Sequence, residues 1–265
     1  MRMQPALALF LLVLVPRSAG AAGETVSYKV GRETVRAYLA RPAGPADAPG
    51  LVVLHEMWGL NEQIMRAADH LSRLGYVAIA PDLYQGKLGA DPGLAEDMMR
   101  ALDSGRALAI VKGAIDQLRN LDGASGRPVG TVGFGMGGRL ALEAALHGFD
   151  VGATIIFYGK VETTPEAVAP IRSPILGFFG SRDPGVRKED VAKFEAAMKQ
   201  SGKDVRIIMN VGIGHGFMNE ERADYEPEMS KDSWAIMKKW LAIKLPTAAP
   251  AEPAAGPPVP STTGP

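Results

Sequence analysis

Short apolar runs alternate with helical patterns along most of the chain. Residues 25–30 and 34–42 alternate apolar and polar positions around Gly31 and Arg32, which predicts an antiparallel hairpin. Continuous apolar runs are typical of strands that are covered on both faces. The remaining strands are predicted over 51–54, 76–80, 128–133, 153–158, 174–179 and 205–211.

Helical spacing of apolar residues fills the gaps between these strands. Asn61 is placed to cap the first helix, which Gly75 ends. Further helices are predicted over 105–121, 137–147, 191–198 and 230–243, whereas the stretch after Tyr84 is polar, contains glycine and is assigned no element. Strands that alternate with helices predict an α/β fold: a mostly parallel, doubly wound sheet with an antiparallel start and helices on both faces.

Composition narrows the class of protein. The chain has 265 residues, 46% of them hydrophobic, with 29 basic and 29 acidic side chains, which fits one globular domain. Because basic and acidic side chains are equal in number, there is no excess of positive charge to attract nucleic acid, and no nucleic-acid partner is predicted. The chain has no cysteine, which excludes both disulfides and a thiol nucleophile.

Both ends of the sequence differ from the domain between them. Arg2, the apolar stretch 6–15 and the small residues 19–21 predict a cleaved signal peptide over 1–21, and therefore an exported protein, periplasmic or extracellular, that is not inserted in the membrane. An uncleaved anchor or a buried strand is the alternative. The domain is expected over 22–245, and the Pro/Ala-rich segment 246–265 is expected to be a disordered tail.

Gly135 occupies the most informative position in the chain. It lies between a predicted strand and a predicted helix, at the centre of a G-x-?-x-G frame that is typical of a nucleophile elbow, where a Ser or Cys is expected. Gly133, Gly135 and Gly138 also fit a dinucleotide-binding loop. That loop requires an acidic residue about 20 positions later, at the end of the next strand. Residues 155–158 contain none, which favours the elbow.

Three further strand ends carry side chains suited to catalysis. In this type of sheet, functional groups collect at the carboxyl ends of strands. The order nucleophile, acid, histidine is that of α/β-hydrolases, with Asp183 orienting His215 and His215 relaying the proton. The N–H groups of Met57 and Met136 are predicted to form the oxyanion hole.

Each of these residues also has a structural interpretation. Asp183 fits a turn, His215 a surface loop and Glu56 a helix start, and His55 is expected to be packed in the interior. A zinc site made of these four residues lacks the ligand spacing that zinc sites have, so no metal is predicted.

The chain resembles the dienelactone hydrolase family. The motifs that carry the resemblance are 55–59, 80–84, 132–134 with 136–138, 157–159, Gly180 with Asp183, and 214–217. The resemblance implies an α/β-hydrolase fold and hydrolysis of small lactones and esters through an acyl-enzyme, without a cofactor. It also implies a triad of Cys, Asp183 and His215 with Glu56 beside the thiol, and Gly135 stands where the family has Cys. The substrate pocket it implies contains Trp58, Tyr84, Lys87, Tyr158 and Phe217.

Two departures from the family pattern shape the functional hypotheses. Gly86 and Asn219 stand where founding members have arginines that hold a substrate carboxylate, and Lys87 is the nearest replacement. Gly135 excludes an acyl-enzyme at that position, and no elbow neighbour carries a hydroxyl. One hypothesis is hydrolysis by water, with His215 or Glu56 as general base. The other is ligand binding without turnover. The sequence leaves the oligomeric state open.

Overall fold

The structure, a computed structural model, describes residues 23–43, 47–124 and 126–247. The predicted signal peptide and the predicted tail beyond residue 247 lie outside these ranges. The strands are β1 (Glu24–Val30), β2 (Glu33–Ala40), β3 (Gly50–Leu54), β4 (Val77–Pro81), β5 (Val129–Phe134), β6 (Ala153–Phe157), β7 (Ile175–Gly180) and β8 (Val205–Asn210). The helices are α1 (Glu62–Arg73), α2 (Pro92–Ala101), α3 (Ser104–Arg119), α4 (Met136–Leu146), α5 (Pro165–Val168), α6 (Lys188–Gln200) and α7 (Pro227–Lys244).

All eight strands form one sheet in the order β1-β2-β4-β3-β5-β6-β7-β8. The pairs β1–β2 and β2–β4 are antiparallel, and every other pair is parallel. The predicted α/β fold with an antiparallel start is therefore confirmed. Because β3 to β8 are parallel, their carboxyl ends meet at one edge of the sheet.

Helices cover both faces of the sheet and bury two apolar cores. Neighbouring residues of β3 point to opposite sides: Val52 and Leu54 belong to the core on the face covered by α3, α4 and α6, whereas Leu51 and Val53 belong to the core on the face covered by α1 and α7. This explains why β3 and β4 are apolar at every position rather than at alternate ones. Among the described residues, no helix combines the length and apolar character needed to cross a membrane.

The helix starts follow local capping chemistry. The Asn61 side chain accepts a hydrogen bond from the Ile64 N–H, as predicted. Two helices were absent from the sequence prediction. Asp91 caps α2 and Pro92 begins it, but Ala95 is its only buried residue, so no apolar face marked it as a helix. The other helix that was not predicted is α5, which is a single turn. The helix α7 was predicted, but it begins at Pro227, three residues before the predicted start.

Candidate active site

Four strand ends bring the predicted site residues together at one edge of the sheet. Glu56 follows β3, Gly135 follows β5, Asp183 follows β7 and His215 follows β8. β3 and β5 are neighbours in the sheet, as are β7 and β8. The residues are far apart in sequence, and the parallel sheet is what makes them neighbours.

The turn from β5 to α4 is built by close backbone contacts. A β-carbon on Gly133 would lie 2.0 Å from the Gly137 carbonyl oxygen, and one on Gly137 would lie 2.1 Å from that of Leu54. Both positions therefore require glycine. We call residues 133–138 the elbow. Its glycines serve backbone packing, and β6 ends in Phe157 followed by buried Tyr158, so the dinucleotide interpretation gains no support.

Gly135 has the backbone conformation of a nucleophile elbow. Its φ of 52° and ψ of −112° lie where L side chains are strained, and its N–H donates to the Phe157 carbonyl at 2.9 Å. In contrast to the other elbow glycines, Gly135 has no atom of another residue too close to the position of a β-carbon. An ideal β-carbon would lie 3.5 Å from His215 Nε2, 3.9 Å from Glu56 Cγ and 3.9 Å from Tyr158 Cδ2. The β-carbon position of Gly135 therefore faces His215, although the residue has no side chain.

Asp183 and His215 form a hydrogen-bonded pair. His215 Nδ1 lies 2.7 Å from Asp183 Oδ2, and Asp183 Oδ1 accepts from the Gly185 N–H at 2.7 Å and the Val186 N–H at 3.0 Å. The Asp183 side chain is fully buried, whereas 39% of the His215 side chain is exposed. A carboxylate accepts, so Nδ1 is the donor, and in the neutral ring Nε2 presents its lone pair to the elbow.

Glu56 is buried beside the elbow with both carboxylate oxygens engaged. Oε1 accepts from the Tyr158 hydroxyl at 2.8 Å, and Oε2 accepts from Asn219 Nδ2 at 2.7 Å. Burial raises the pKa of Glu56, against the opposing effect of these hydrogen bonds and of the charges of His215 and Arg222. Burial also raises the pKa of Tyr158 well above 10, so the phenol keeps its proton and acts as the donor.

His55 is a structural histidine at the same edge of the sheet. Nδ1 bonds the Glu56 carbonyl oxygen at 2.6 Å, and Nε2 accepts from the Leu83 N–H at 3.2 Å. Burial lowers the pKa of His55 to about 4, so the ring is neutral. Because both nitrogens are engaged, His55 is not free to bind zinc. Within the described ranges, no group of three or more His, Cys, Asp or Glu residues is arranged to hold a metal ion.

Two backbone amides remain open for a ligand. Within the described part of the chain, the N–H groups of Met57 and Met136 donate to no protein acceptor. Met136 is held in place by its side chain, since its Sδ accepts from the Tyr84 hydroxyl at 3.2 Å. The two predicted oxyanion donors therefore lie at the ends of β3 and β5, next to Glu56 and Gly135.

The predicted pocket residues differ in how they relate to the site, and Tyr84 is buried with its hydroxyl on Met136 Sδ. Tyr158 contacts the site directly, with its ring centroid 4.9 Å from that of His215. Phe217 is fully buried and packs on Tyr158, so it supports the Tyr158 ring from the interior of the protein. Trp58 is partly exposed. Lys87 is exposed, and its side chain makes no hydrogen bond or ion pair with the described residues.

Sequence reasoning did not find the contacts made by Asn219 and Arg222. Asn219 was considered only as the replacement of an arginine, yet it holds Glu56. The Arg222 guanidinium lies over the Trp58 ring at 5.3 Å, and its NH2 group bonds Asp224 at 2.8 Å. Both residues follow His215 within the same loop, and that proximity was the available signal.

Comparison with known proteins supplies a family. The model described as "Dienelactone hydrolase family" matches residues 35–245. Protein usf of Aquifex pyrophilus is 32% identical over 231 residues, covering 83% of this chain and 99% of that protein. A protein of Saccharolobus solfataricus, provisionally named carboxymethylenebutenolidase, is 29% identical over 243 residues, covering 78% of this chain and 93% of its own length. A thermophilic esterase from Thermogutta terrifontis has the same fold, with a TM-score of 0.67 at 21% identity, and the match covers 87% of this chain and 95% of that one.

Proposed function

The chain belongs to the dienelactone hydrolase family, and on that premise we propose that it hydrolyses small carboxylic esters or lactones by direct attack of water beside Gly135. The observation that carries the proposal is the separation of 3.5 Å between the β-carbon position of Gly135 and His215 Nε2. That nitrogen faces the place where a nucleophile would lie, and no residue of the elbow carries a hydroxyl or a thiol.

The reaction follows from the positions of the donors and acceptors. A water molecule bonded to His215 Nε2 attacks the carbonyl carbon as its proton passes to the ring. Asp183 stabilises the imidazolium that forms, through the 2.7 Å bond to Nδ1. The Met57 and Met136 N–H groups donate to the developing oxyanion. The imidazolium then protonates the leaving alkoxide, giving an acid and an alcohol without a covalent intermediate.

His215 is better suited than Glu56 to act as the base. Both Glu56 oxygens already accept hydrogen bonds, from Tyr158 and Asn219. His215 Nε2 accepts none from a described residue. Glu56 therefore serves to shape and polarise the site, with Tyr158 and Asn219 fixing its position.

The test compares wild-type protein with His215→Ala on activated esters and lactones. A general base contributes roughly 10²- to 10⁴-fold to the rate, and the variant should lose that factor. His147→Ala is a matched control, because His147 is exposed at the end of α4. Equal rates for wild type and His215→Ala would rule out the proposed hydrolysis.

Ligand binding without turnover is the second candidate, and the missing side chain of Gly135 is what favours it. It predicts that esters or lactones bind to the wild type but are not converted at a rate that depends on His215. Calorimetric titration with a non-reactive amide or lactam analogue, beside the rate measurement, separates the two functions.

Export remains part of the proposal and rests on the sequence of residues 1–21. Fractionation of the source cells and sequencing of the mature N-terminus test it. A cytoplasmic protein with an intact N-terminus would contradict export and would leave the proposed chemistry untouched.

A further inference from the structure

The strand β8 lies at one edge of the sheet, with one side of its backbone turned outward. Within the described part of the chain, it pairs with β7 alone. The Asp204 carbonyl accepts from the Ile175 N–H at 2.9 Å, and the Asn210 carbonyl accepts from the Ser181 N–H at 3.0 Å. Because the main-chain groups of successive residues in a strand point to alternate sides, the even-numbered residues of β8 bond to β7. The N–H and C=O groups of its odd-numbered residues therefore face outward.

The outward-facing residues of this edge are apolar. Val205, Ile207 and Met209 are partly buried, and Val211, which follows the strand, is 84% exposed. Ile207 and Met209 also line a groove of about 410 Å³ between β8 and α6. Edge strands are protected from pairing by proline, by bulges or by charged side chains. Residues 205–211 contain no proline and a single charged residue, Arg206, so this edge is poorly protected against another strand.

The four apolar residues are placed symmetrically about Ile208. A second β8 that runs antiparallel to the first and is centred on Ile208 would place Ile207 opposite Met209 and Val205 opposite Val211. Each apolar residue then meets another apolar residue. In an antiparallel pair, opposite residues that face each other exchange both main-chain hydrogen bonds. The pairing of Ile207 with Met209 occurs twice across the axis and therefore supplies roughly four bonds.

The neighbouring registers satisfy this edge less well. With the centre one residue earlier, Val211 would lie opposite Lys203. With the centre one residue later, Val205 would lie opposite a position beyond the turn that follows β8. The symmetric register also opposes no like charges, since it places Arg206 opposite Asn210. The sequence of β8 therefore favours one register over those beside it.

We propose that two copies of the chain pair edge to edge along β8 in this register, which joins their sheets into one. The partner is a second copy because the edge is complementary to itself, and the same four residues serve both sides of a twofold contact. Main-chain hydrogen bonds hold such an added strand, and the apolar side chains set its register. The pairing uses no residue of the elbow and does not depend on the proposed hydrolysis.

Single cysteines test the register directly, because the chain has no cysteine of its own. In Ile208→Cys the two thiols oppose each other at the axis. The Cα atoms of such a pair are about 4.5 Å apart, which a disulfide can span. In Val211→Cys, the matched control, the two positions are about 20 Å apart along the strands. Val211 is more exposed than Ile208, so random collisions would favour the control.

Mild oxidation of the full chain should link Ile208→Cys into a covalent dimer roughly 10²-fold faster than Val211→Cys. The reason is that thiols held together have a millimolar effective concentration, against micromolar protein in solution. The measurement is the rate at which the dimer appears on a non-reducing gel. Equal rates, or faster linkage of Val211→Cys, would overturn the proposed pairing.

The mass of the protein in solution is a second test that needs no oxidation. By light scattering, the wild-type full chain should have twice the mass of one chain. Ile208→Lys opposes two ammonium groups at the axis and should reduce the mass to that of one chain. Leu94→Lys, on the exposed surface of α2, is the control and should remain a dimer. Wild-type protein with the mass of one chain at every concentration would overturn the proposal, and so would a folded Ile208→Lys variant that stays dimeric.

Discussion

The elbow and the pair formed by Asp183 and His215 face each other across the site, yet they keep different parts of a hydrolase centre. The elbow retains its backbone, with Gly135 at φ 52°, but no reactive side chain. Asp183 and His215 retain their side chains and the hydrogen bonds that orient them. The shape of the elbow is fixed by β5, α4 and the contacts of Gly133 and Gly137, so it does not depend on the side chain at its centre. The orientation of His215 depends directly on a side chain.

Restoring the side chain at Gly135 should have the largest effect. Removing a triad nucleophile costs on the order of 10⁶ in rate, so Gly135→Cys or Gly135→Ser should raise the ester hydrolysis rate by about 10³-fold or more. The measurement is the steady-state rate of each variant on an activated ester. Gly135→Ala is the matched control, because it adds the β-carbon without a nucleophile. Folded Cys and Ser variants that are no faster than Gly135→Ala would show that the two halves of the site do not work together.

His55 contrasts with His215. It lies at the same edge of the sheet, but both of its ring nitrogens form hydrogen bonds within the protein. Burial lowers its pKa from 6.5 to about 4. As the pH falls below 6.5, His55 binds a proton in the unfolded chain but stays neutral in the folded protein. The folded protein therefore loses stability until the pH reaches about 4. The free energy of unfolding should therefore fall by about 3 kcal/mol across this range. Urea denaturation of wild type and His55→Gln checks this prediction. Parallel pH profiles for the two proteins would contradict it.

The smallest expected effect is on stability, from the backbone strain that a side chain at position 135 would introduce. At φ 52° a non-glycine residue costs about 1–3 kcal/mol, and space is not limiting because the nearest atom to the β-carbon is 3.5 Å away. Gly135→Ala should reduce the free energy of unfolding by that amount. Thermal or urea denaturation measures the loss. A variant as stable as wild type would mean that the elbow relaxes when a side chain is added.

Sequence patterns predicted the sheet, the elbow and the strand ends that carry Glu56, Asp183 and His215, because each depends on local apolar runs and glycine spacing. The sequence patterns did not predict which residues form hydrogen bonds with Glu56. Tyr158 and Asn219 lie 102 and 163 positions away, and they meet Glu56 only through the sheet. Tyr158 also adopts a φ of 42°, which no local pattern indicates. The helix α2 escaped prediction because it buries a single residue.

Direct attack by water is the central claim, and the mass of the intact protein during turnover tests it most directly. Wild-type protein sampled by rapid quench while it hydrolyses an activated ester should show no added acyl group. Gly135→Cys, treated in the same way, should carry one. Wild-type protein that gains one acyl mass, and loses this gain in His215→Ala, would show that His215 Nε2 is itself the nucleophile, and would contradict direct attack by water.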